Sequence, residues 1–228
     1  MSHPGVYVTG TDTDAGKTVA SAALLHALRA RGLRAVGMKP LASGCAHTAH
    51  GWRNDDALAL QAASAPRPAY DDVNPFALPL PLAPEFAARE AGITVELAPI
   101  LAAHARLAAQ ADFVLVEGVG GWLAPLTATL DQSGLARALE LPVVLVVGLR
   151  LGCLNHARLS ARAIAADGAS LAGWIASEVD PAMAHRDDNF EALRERLPAP
   201  CLGRLRHAAP PDPATLARAL DATPLLAG

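Results

Sequence analysis

Three runs of this chain, Phe113-Val114-Leu115-Val116, Pro142 to Gly148 and Leu171 to Ser177, are apolar at nearly every position. A strand with one wet face alternates apolar and polar residues, whereas a strand apolar throughout must be covered on both faces. Such strands belong to a mostly parallel sheet held between two layers of helix. The rest of the sequence agrees, because short β-branched runs alternate with Ala- and Leu-rich segments of helical length, as in repeated βαβ units. A hydrophobic share of 52% with only 4% aromatics favours these helices over a β-sandwich, which draws on aromatic and β-branched residues. The expectation is a three-layer α/β fold in which residues 1–228 form a single domain, a length that one hydrophobic core still spans.

The pattern places a first strand at Gly5 to Thr9, a helix at Lys17 to Arg31 stopped by Gly32, and a second strand at Arg34 to Lys39. A polar loop, Leu41 to Arg53, leads to a helix from Asn54 to Ser64 with Asn54 as its cap. Residues 66–84 are too rich in proline for a long element, leaving a short extended piece at Asp72 to Phe76. Beyond them come a helix at Thr94 to Gln110, a strand at Asp112 to Glu117 and the strand at Pro142 to Gly148. A helix at Ala157 to Ala166, the strand at Leu171 to Ser177, a helix from about Ala184 to Arg196, a strand at Cys201 to Leu205 and a closing helix at Pro213 to Ala222 complete the pattern.

Charge and cysteine usage narrow the function classes. Nineteen Lys plus Arg against 22 Asp plus Glu leave a net charge of −3, with no basic field to hold nucleic acid or anionic lipid. No apolar run approaches the roughly 20 residues of a membrane span, and Met1 to Pro4 lacks the basic start of a signal peptide, so a cytoplasmic location is expected. Cys45, Cys153 and Cys201 lie far apart and read as reduced thiols rather than a disulfide or zinc framework. His47 and His50 lack a third ligand and read as solvated loop residues. Trp52, Trp122 and Trp174 read as packing residues, and His185-Arg186-Asp187-Asp188 as a mixed-charge solvent face at a helix start or an approach to a neighbouring subunit.

The chemistry concentrates after the first strand, where Gly10-Thr11-Asp12-Thr13-Asp14-Ala15-Gly16-Lys17-Thr18 opens an Ala-rich helix. Its tail matches the end of the phosphate-binding pattern G-x-x-x-x-G-K-[ST]. Backbone N–H groups at a helix start hold phosphate oxygens, Lys17 reaches the β- and γ-phosphates, and the Thr18 hydroxyl binds magnesium. The match has one defect: the first glycine of the pattern falls on Thr11, with Gly10 one residue upstream. Glu117 ends an apolar strand, where it either holds magnesium or is a paired or capping carboxylate. Asp55 and Asp56 begin a helix, a place the helix dipole favours for carboxylates whether or not they bind anything. Lys39 ends the second strand and brings a second cation to the same sheet edge as Lys17. Two lysines beside a metal suit transfer of a phosphoryl group to an acceptor more than mere holding of a nucleotide.

Five blocks, Gly10 to Thr18, Lys39-Pro40-Leu41-Ala42-Ser43-Gly44, Arg53-Asn54-Asp55-Asp56-Ala57-Leu58, Val116-Glu117-Gly118-Val119-Gly120-Gly121-Trp122 and Leu151-Gly152-Cys153-Leu154-Asn155-His156-Ala157, occur in an order that resembles the dethiobiotin synthetase family. The resemblance runs from Val8 to about Gly203. It implies a P-loop nucleoside triphosphate hydrolase-like fold and an ATP-dependent carboxylation of 7,8-diaminopelargonic acid with carbon dioxide. In that family the diamine forms a carbamate, ATP phosphorylates it, and the second amine closes the ureido ring while phosphate leaves. Carried over by position, Lys39 and Lys17 would be catalytic, and Thr18, Asp56 and Glu117 would hold Mg2+. Asp14, Ala15, Gly16, Lys17, Thr18, Val19, Asp56, Glu117, Gly118, Val119 and Gly120 would bind the nucleotide, with Ser177, Glu178 and Arg206 near its base. Thr13 and Ser43 would meet the substrate, and Gly152, Cys153, Leu154 and Asn155 would take its carboxylate near the interface of a homodimer. Without the resemblance, Asn155 reads as a helix cap and His156 as a surface residue.

Two departures concern the base. Where the family commonly has Asn-Asp after the strand ending at Ser177, this chain has Ser177-Glu178, and Arg206 stands where a proline is usual. A serine hydroxyl makes at most one good contact with an adenine edge, where an amide makes a pair. A relaxed preference for ATP over other nucleoside triphosphates is therefore expected. The alternative class is a regulatory P-loop ATPase of the partition or division-site kind. It is disfavoured because positions 11–15 lack an extra lysine and residues 213–222 are too short and weakly charged for a membrane-seeking helix. An amidotransferase of the related corrinoid-synthesis kind would need a glutaminase domain that this length does not hold.

Overall fold

The computed structural model describes residues 5–226. Residues 1–4, read above for a leader, lie outside the described residues. The chain runs β1 (Gly5–Gly10), α1 (Lys17–Ala30), β2 (Ala35–Met38), β3 (Leu41–Ala42), β4 (Ala46–Thr48), β5 (Gly51–Arg53), α2 (Asp55–Ala63), α3 (Tyr70–Val73), β6 (Phe76–Ala77), α4 (Pro84–Ala91), α5 (Leu97–Ala108) and β7 (Phe113–Gly121). It continues with α6 (Gln132–Ala138), β8 (Val143–Gly148), α7 (Cys153–Ala166), β9 (Leu171–Ser177), α8 (Arg186–Arg196), β10 (Cys201–Leu205) and α9 (Pro213–Leu216), then two 3₁₀ turns.

Six strands form one sheet in the order β10-β9-β8-β1-β7-β2, every pair parallel. Both faces are dry, as the unbroken apolar runs demand. On one face α1, α2 and the C-terminal segment pack through Leu24, Leu28, Leu60 and Leu216 against Val6, Val8, Leu115 and Val144. On the other, α5, α6, α7 and α8 cover Tyr7, Val114, Val116, Leu145 and Val147. Because α1 leaves β1 on one face while α6 and α7 leave β7 and β8 on the other, a crevice opens beyond the carboxyl ends of β1, β7 and β8, the place where such sheets bind ligands. No helix among the described residues is long and apolar enough to cross a membrane.

Several local expectations are corrected. The polar stretch 41–53 is not a plain loop: it holds β3 and a β4–β5 hairpin in which His47 meets Trp52 edge-on at 5.0 Å, leaving Trp52 exposed. Within 72–76 the chain turns through α3 before β6 instead of running extended. The helices α4 and α6 had not been expected. Strand β7 runs on through its glycines to Gly121, and α7 begins at Cys153, four residues before the expected Ala157. The closing helix stops at Leu216, because Asp221 N–H donates to the Leu202 carbonyl at 2.7 Å and Gly203 bridges Leu220. The chain end thereby covers the exposed edge of β10, a use of backbone that a continuing helix would forbid.

Candidate active site

Alternation along two neighbouring strands assembles the centre of the site. Met38 pairs with Val116 in the β2–β7 ladder, and both side chains point to the face away from α1. The next residues, Lys39 and Glu117, therefore turn together toward α1 and α2. Lys39 Nζ donates to Glu117 Oε1 at 2.6 Å, to Asp56 Oδ2 at 2.9 Å and to the Gly118 carbonyl at 3.2 Å. Thr18 Oγ1 donates to Glu117 Oε1 at 3.0 Å. Burial works against the Lys39 ammonium, but Glu117 and Asp56 outweigh it and hold its pKa above the ordinary lysine value. Burial likewise opposes the charge on Asp56, yet Lys39 and the Thr18 hydroxyl hold its carboxyl below the usual range.

The phosphate loop lies alongside. Asp14 and Gly16 take left-handed φ of 59° and 83°, which turns successive backbone N–H groups inward at the start of α1. No side chain caps that helix, so its first N–H groups are available to an anion. Lys17, 7% exposed, folds back so that Nζ donates to the Asp12 carbonyl at 2.9 Å. Burial, and next the charge of Lys39, lower its pKa. Gly10, displaced from the expected glycine position, has its own reason: a Cβ there would lie 3.1 Å from Lys17 Cδ and Nζ.

These elements enclose a cleft of about 290 Å³ lined by Thr13, Asp14, Gly16, Lys17, Thr18, Val19, Lys39, Ala42, Ser43, Asn54, Asp56, Val119 and Gly120. Most of the residues expected from the phosphate, metal and substrate blocks meet there. Ala15 and Glu117 are buried just beneath. Gly118 backs onto the hydrogen-bonded Tyr7–Gln132 pair, where a Cβ would come within 2.7 Å of both polar groups, so it offers the cleft only its backbone.

The structure does not bring every expected residue to this cleft. Ser177 lies beneath the phosphate loop, its Oγ in the space that a Gly16 Cβ would take. The Glu178 carboxylate is held by Arg186 at 2.9 Å and Arg204 at 2.7 Å, and by the His207 N–H at 3.3 Å. Half-buried Arg186 thus turns in to pair with the buried Glu178, while His185, Asp187 and Asp188 form the exposed face expected of 185–188. Arg206 is exposed. Gly152 is the uncapped N-terminus of α7 with φ 95°, Cys153 is buried, and Leu154 and Asn155 follow along the helix; none of the four lines the cleft.

Sequence reasoning missed the supports. Asn54 does cap α2, accepting from Ala57 N–H at 3.2 Å, but its own N–H donates to the Tyr70 hydroxyl at 2.8 Å. Tyr70 also bonds Asn74 Oδ1 at 3.1 Å, and Asn74 Nδ2 donates to the Lys39 carbonyl at 2.7 Å. This relay from the proline-rich segment fixes Lys39 relative to the start of α2, and hence to Asp56.

A family model described as an AAA domain matches residues 4–215. Among solved structures, the signal recognition particle receptor FtsY from Elizabethkingia anophelis superposes with a TM-score of 0.55 at 14% identity, covering 99% of this chain and 65% of that one. The MinC:MinD cell division complex from Aquifex aeolicus gives 0.52 at 11% identity, over 90% of this chain and 81% of that one. At such identities the likeness establishes the P-loop α/β fold alone. An ATP-dependent dethiobiotin synthetase BioD from Xanthomonas euvesicatoria pv. vesicatoria (strain 85-10) is 64% identical over 221 residues, 97% of this chain and 99% of that protein. Proteins of the same name from Xanthomonas oryzae pv. oryzae (strain PXO99A), 66% identical over 90% of this chain and 92% of its own length, and from Xylella fastidiosa (strain 9a5c), 64% identical over 96% and 98%, agree. Likeness of this degree along essentially the whole chain, in a protein whose strand edge gathers Lys17, Thr18, Lys39, Asp56 and Glu117, establishes that the chain belongs to the ATP-dependent dethiobiotin synthetase family.

Proposed function

We propose that this chain, acting as one nucleotide-binding domain within a homodimer, closes the ureido ring of dethiobiotin from 7,8-diaminopelargonic acid, carbon dioxide and ATP. The observation that carries the reading is the meeting of two buried lysines with Asp56, Glu117 and an uncapped helix start in one cleft. Each reacting species there is an anion or becomes one, and cations and N–H groups fixed in advance stabilise developing charge without reorganising.

One amine of the diamine adds to carbon dioxide, forming a C–N bond and losing a proton to give a carbamate. Lys39 and Ser43, which line the cleft, would orient its oxygens. A carbamate oxygen then attacks the γ-phosphorus of ATP and the bond to the β-γ bridging oxygen breaks, giving a carbamic–phosphoric anhydride and ADP. Loop N–H groups and Lys17 would hold the phosphates in line, a positioning contribution in the sense of pre-paid entropy. The second amine attacks the carbonyl carbon, phosphate leaves, and the ring closes with loss of a proton.

Thr18, Asp56 and Glu117 would hold Mg2+. They form a hard oxygen donor set, and Glu117 Oε2 is buried without a hydrogen-bond partner among the described residues, as a carboxylate awaiting a cation would be. When bound, the ion would neutralise charge on the phosphate oxygens. The uncapped start of α7 is chemically suited to a carboxylate, and because none of its residues lines this chain's cleft we assign it to the substrate carboxylate of a neighbouring protomer.

Incubation with the diamine, bicarbonate, MgATP and protein tests the reading. Dethiobiotin with one ADP per product is expected; ADP release indifferent to the diamine overturns it and favours a regulatory ATPase.

A further inference from the structure

The crevice between the ends of β1 and β8 is bridged by one ion pair, between Asp12 on the phosphate loop and Arg150 just beyond β8. Three further contacts gather on these two residues. The same Arg150 Nη2 donates to the Thr13 carbonyl at 3.2 Å. The Asp12 carbonyl is the acceptor that holds Lys17 Nζ at 2.9 Å. The Arg150 carbonyl accepts from Cys153 N–H at 3.0 Å and closes the first turn of α7. Asp12 otherwise has little support: Oδ1 is buried without a hydrogen-bond partner among the described residues, and His156 Nδ1 stands 3.9 Å from Oδ2.

An aspartate is a costly neighbour for a polyphosphate. It is tolerable on this loop only if its charge is neutralised and its backbone is held so that the carbonyl, not the carboxylate, faces the lysine. Arg150 does both. We infer that Arg150 is a positioning residue for nucleotide binding: through Asp12 and Thr13 it sets the phosphate loop and the resting place of Lys17, and it ties that loop to the start of α7. The inference rests on reading residues 10–18 as the site of the nucleotide's phosphates.

Removing Arg150 leaves Asp12 charged and nearly unpartnered beside the phosphates, so the harm should come mostly from Asp12. Equilibrium binding of ATP and of a non-hydrolysable analogue, with no diamine present, is the measurement. Arg150→Gln is expected to weaken binding about tenfold, Arg150→Lys less, because a single ammonium cannot hold both Asp12 and Thr13. Asp12→Asn combined with Arg150→Gln is expected to recover binding to within about threefold of the unaltered protein. In turnover, Arg150→Gln should raise KM for ATP while kcat at saturating ATP changes by less than about threefold; a loss of general structural integrity would lower kcat as well and would not be rescued by a second substitution. Arg150 is partly exposed, so the variants should fold, and the thermal midpoint of each checks this. Binding within twofold of normal for Arg150→Gln, or a double variant no better than Arg150→Gln, overturns the inference. Because binding is read without the diamine, a protein that bound ATP in this pattern yet made no dethiobiotin would sink the proposed reaction and leave this assignment standing.

Discussion

Replacing Lys39 with methionine separates its chemistry from its structural role. The side chain is 4% exposed and its ammonium sits 2.6 Å from Glu117, which is 0% exposed, and 2.9 Å from Asp56, which is 43% exposed. Half-open Asp56 contributes little to stability, since water screens it. Glu117 decides the magnitude: removing one partner of a buried ion pair costs about 3–5 kcal/mol. For a chain of this length each kcal/mol lowers the melting point by about 2–4 °C, so Lys39→Met should melt roughly 6–20 °C below the unaltered protein while remaining folded at room temperature. Turnover should vanish. The same vacancy makes a specific signature, because the ammonium stands between two of the proposed metal ligands. In the variant Mn2+ alone, without nucleotide, should take its place, and at a hundred times its Kd it would return about 2.7 kcal/mol, or roughly 5–11 °C. The unaltered protein, already neutralised by Lys39, should gain far less. Calorimetry with and without Mn2+ reads both effects. A variant that melts within about 2 °C of normal, or that gains no more from Mn2+ than the unaltered protein does, would refute the reasoning.

Two further outcomes follow from the far side of the sheet edge. Glu178→Gln should destabilise by about 3 kcal/mol in urea titrations at neutral pH, because Arg186 and Arg204 lose a buried counter-charge. Burial would raise the Glu178 carboxyl, but the His207 N–H and the two arginines hold it below the ordinary value, so its stabilisation is complete above that value and disappears as pH falls through the depressed one. The gap between variant and unaltered protein should therefore stay constant from neutral pH down to the ordinary glutamate range and close only below it; a gap that closed near pH 7 would show that another group is responsible. As for the base, Ser177 lies under the phosphate loop, Glu178 is held by arginines and Arg206 is exposed, so none supplies a paired donor and acceptor. Catalytic efficiencies with ATP, GTP and CTP should fall within about tenfold of one another, and strict dependence on ATP would contradict this.

The central strands were legible because burial on both faces leaves a simple mark: Val143–Gly148 and Leu171–Ser177 appear where the apolar runs place them. The cluster of Lys39 and Glu117 was legible too, since each follows an apolar run and side chains alternate with period two. What failed were elements whose cues were discounted. Pro84 counted as a breaker, whereas at the first position of α4 its fixed φ and missing N–H cost nothing, and Gly92 with φ 65° ends the helix. Helix α6 is one short stretch, Gln132–Ala138, capped by Asp131 and too brief to show a period. The supports of the site were out of reach for another reason. Arg150 and Asp12 are 138 residues apart, and nothing local to either marks a partner on another strand.

Burial of charge ties these observations together. Among the described residues the buried charged side chains are Lys17, Lys39, Glu117 and Glu178, in a chain with only 18% charged residues. Burying an ion is unfavourable unless it is paired, and replacing a buried pair by apolar residues is often neutral or stabilising. A fold governed by stability alone would therefore have little reason to keep four of them. All four lie on the carboxyl side of the sheet: Lys39 directly follows β2, Glu178 directly follows β9, Lys17 opens α1 beyond the loop after β1, and Glu117 stands in β7 just past its apolar run. Of the four only Glu117 lies within a strand of the sheet. Ions buried on one side of the sheet are held there against the tendency of folding, which is what a site preorganised for phosphate and carbamate requires.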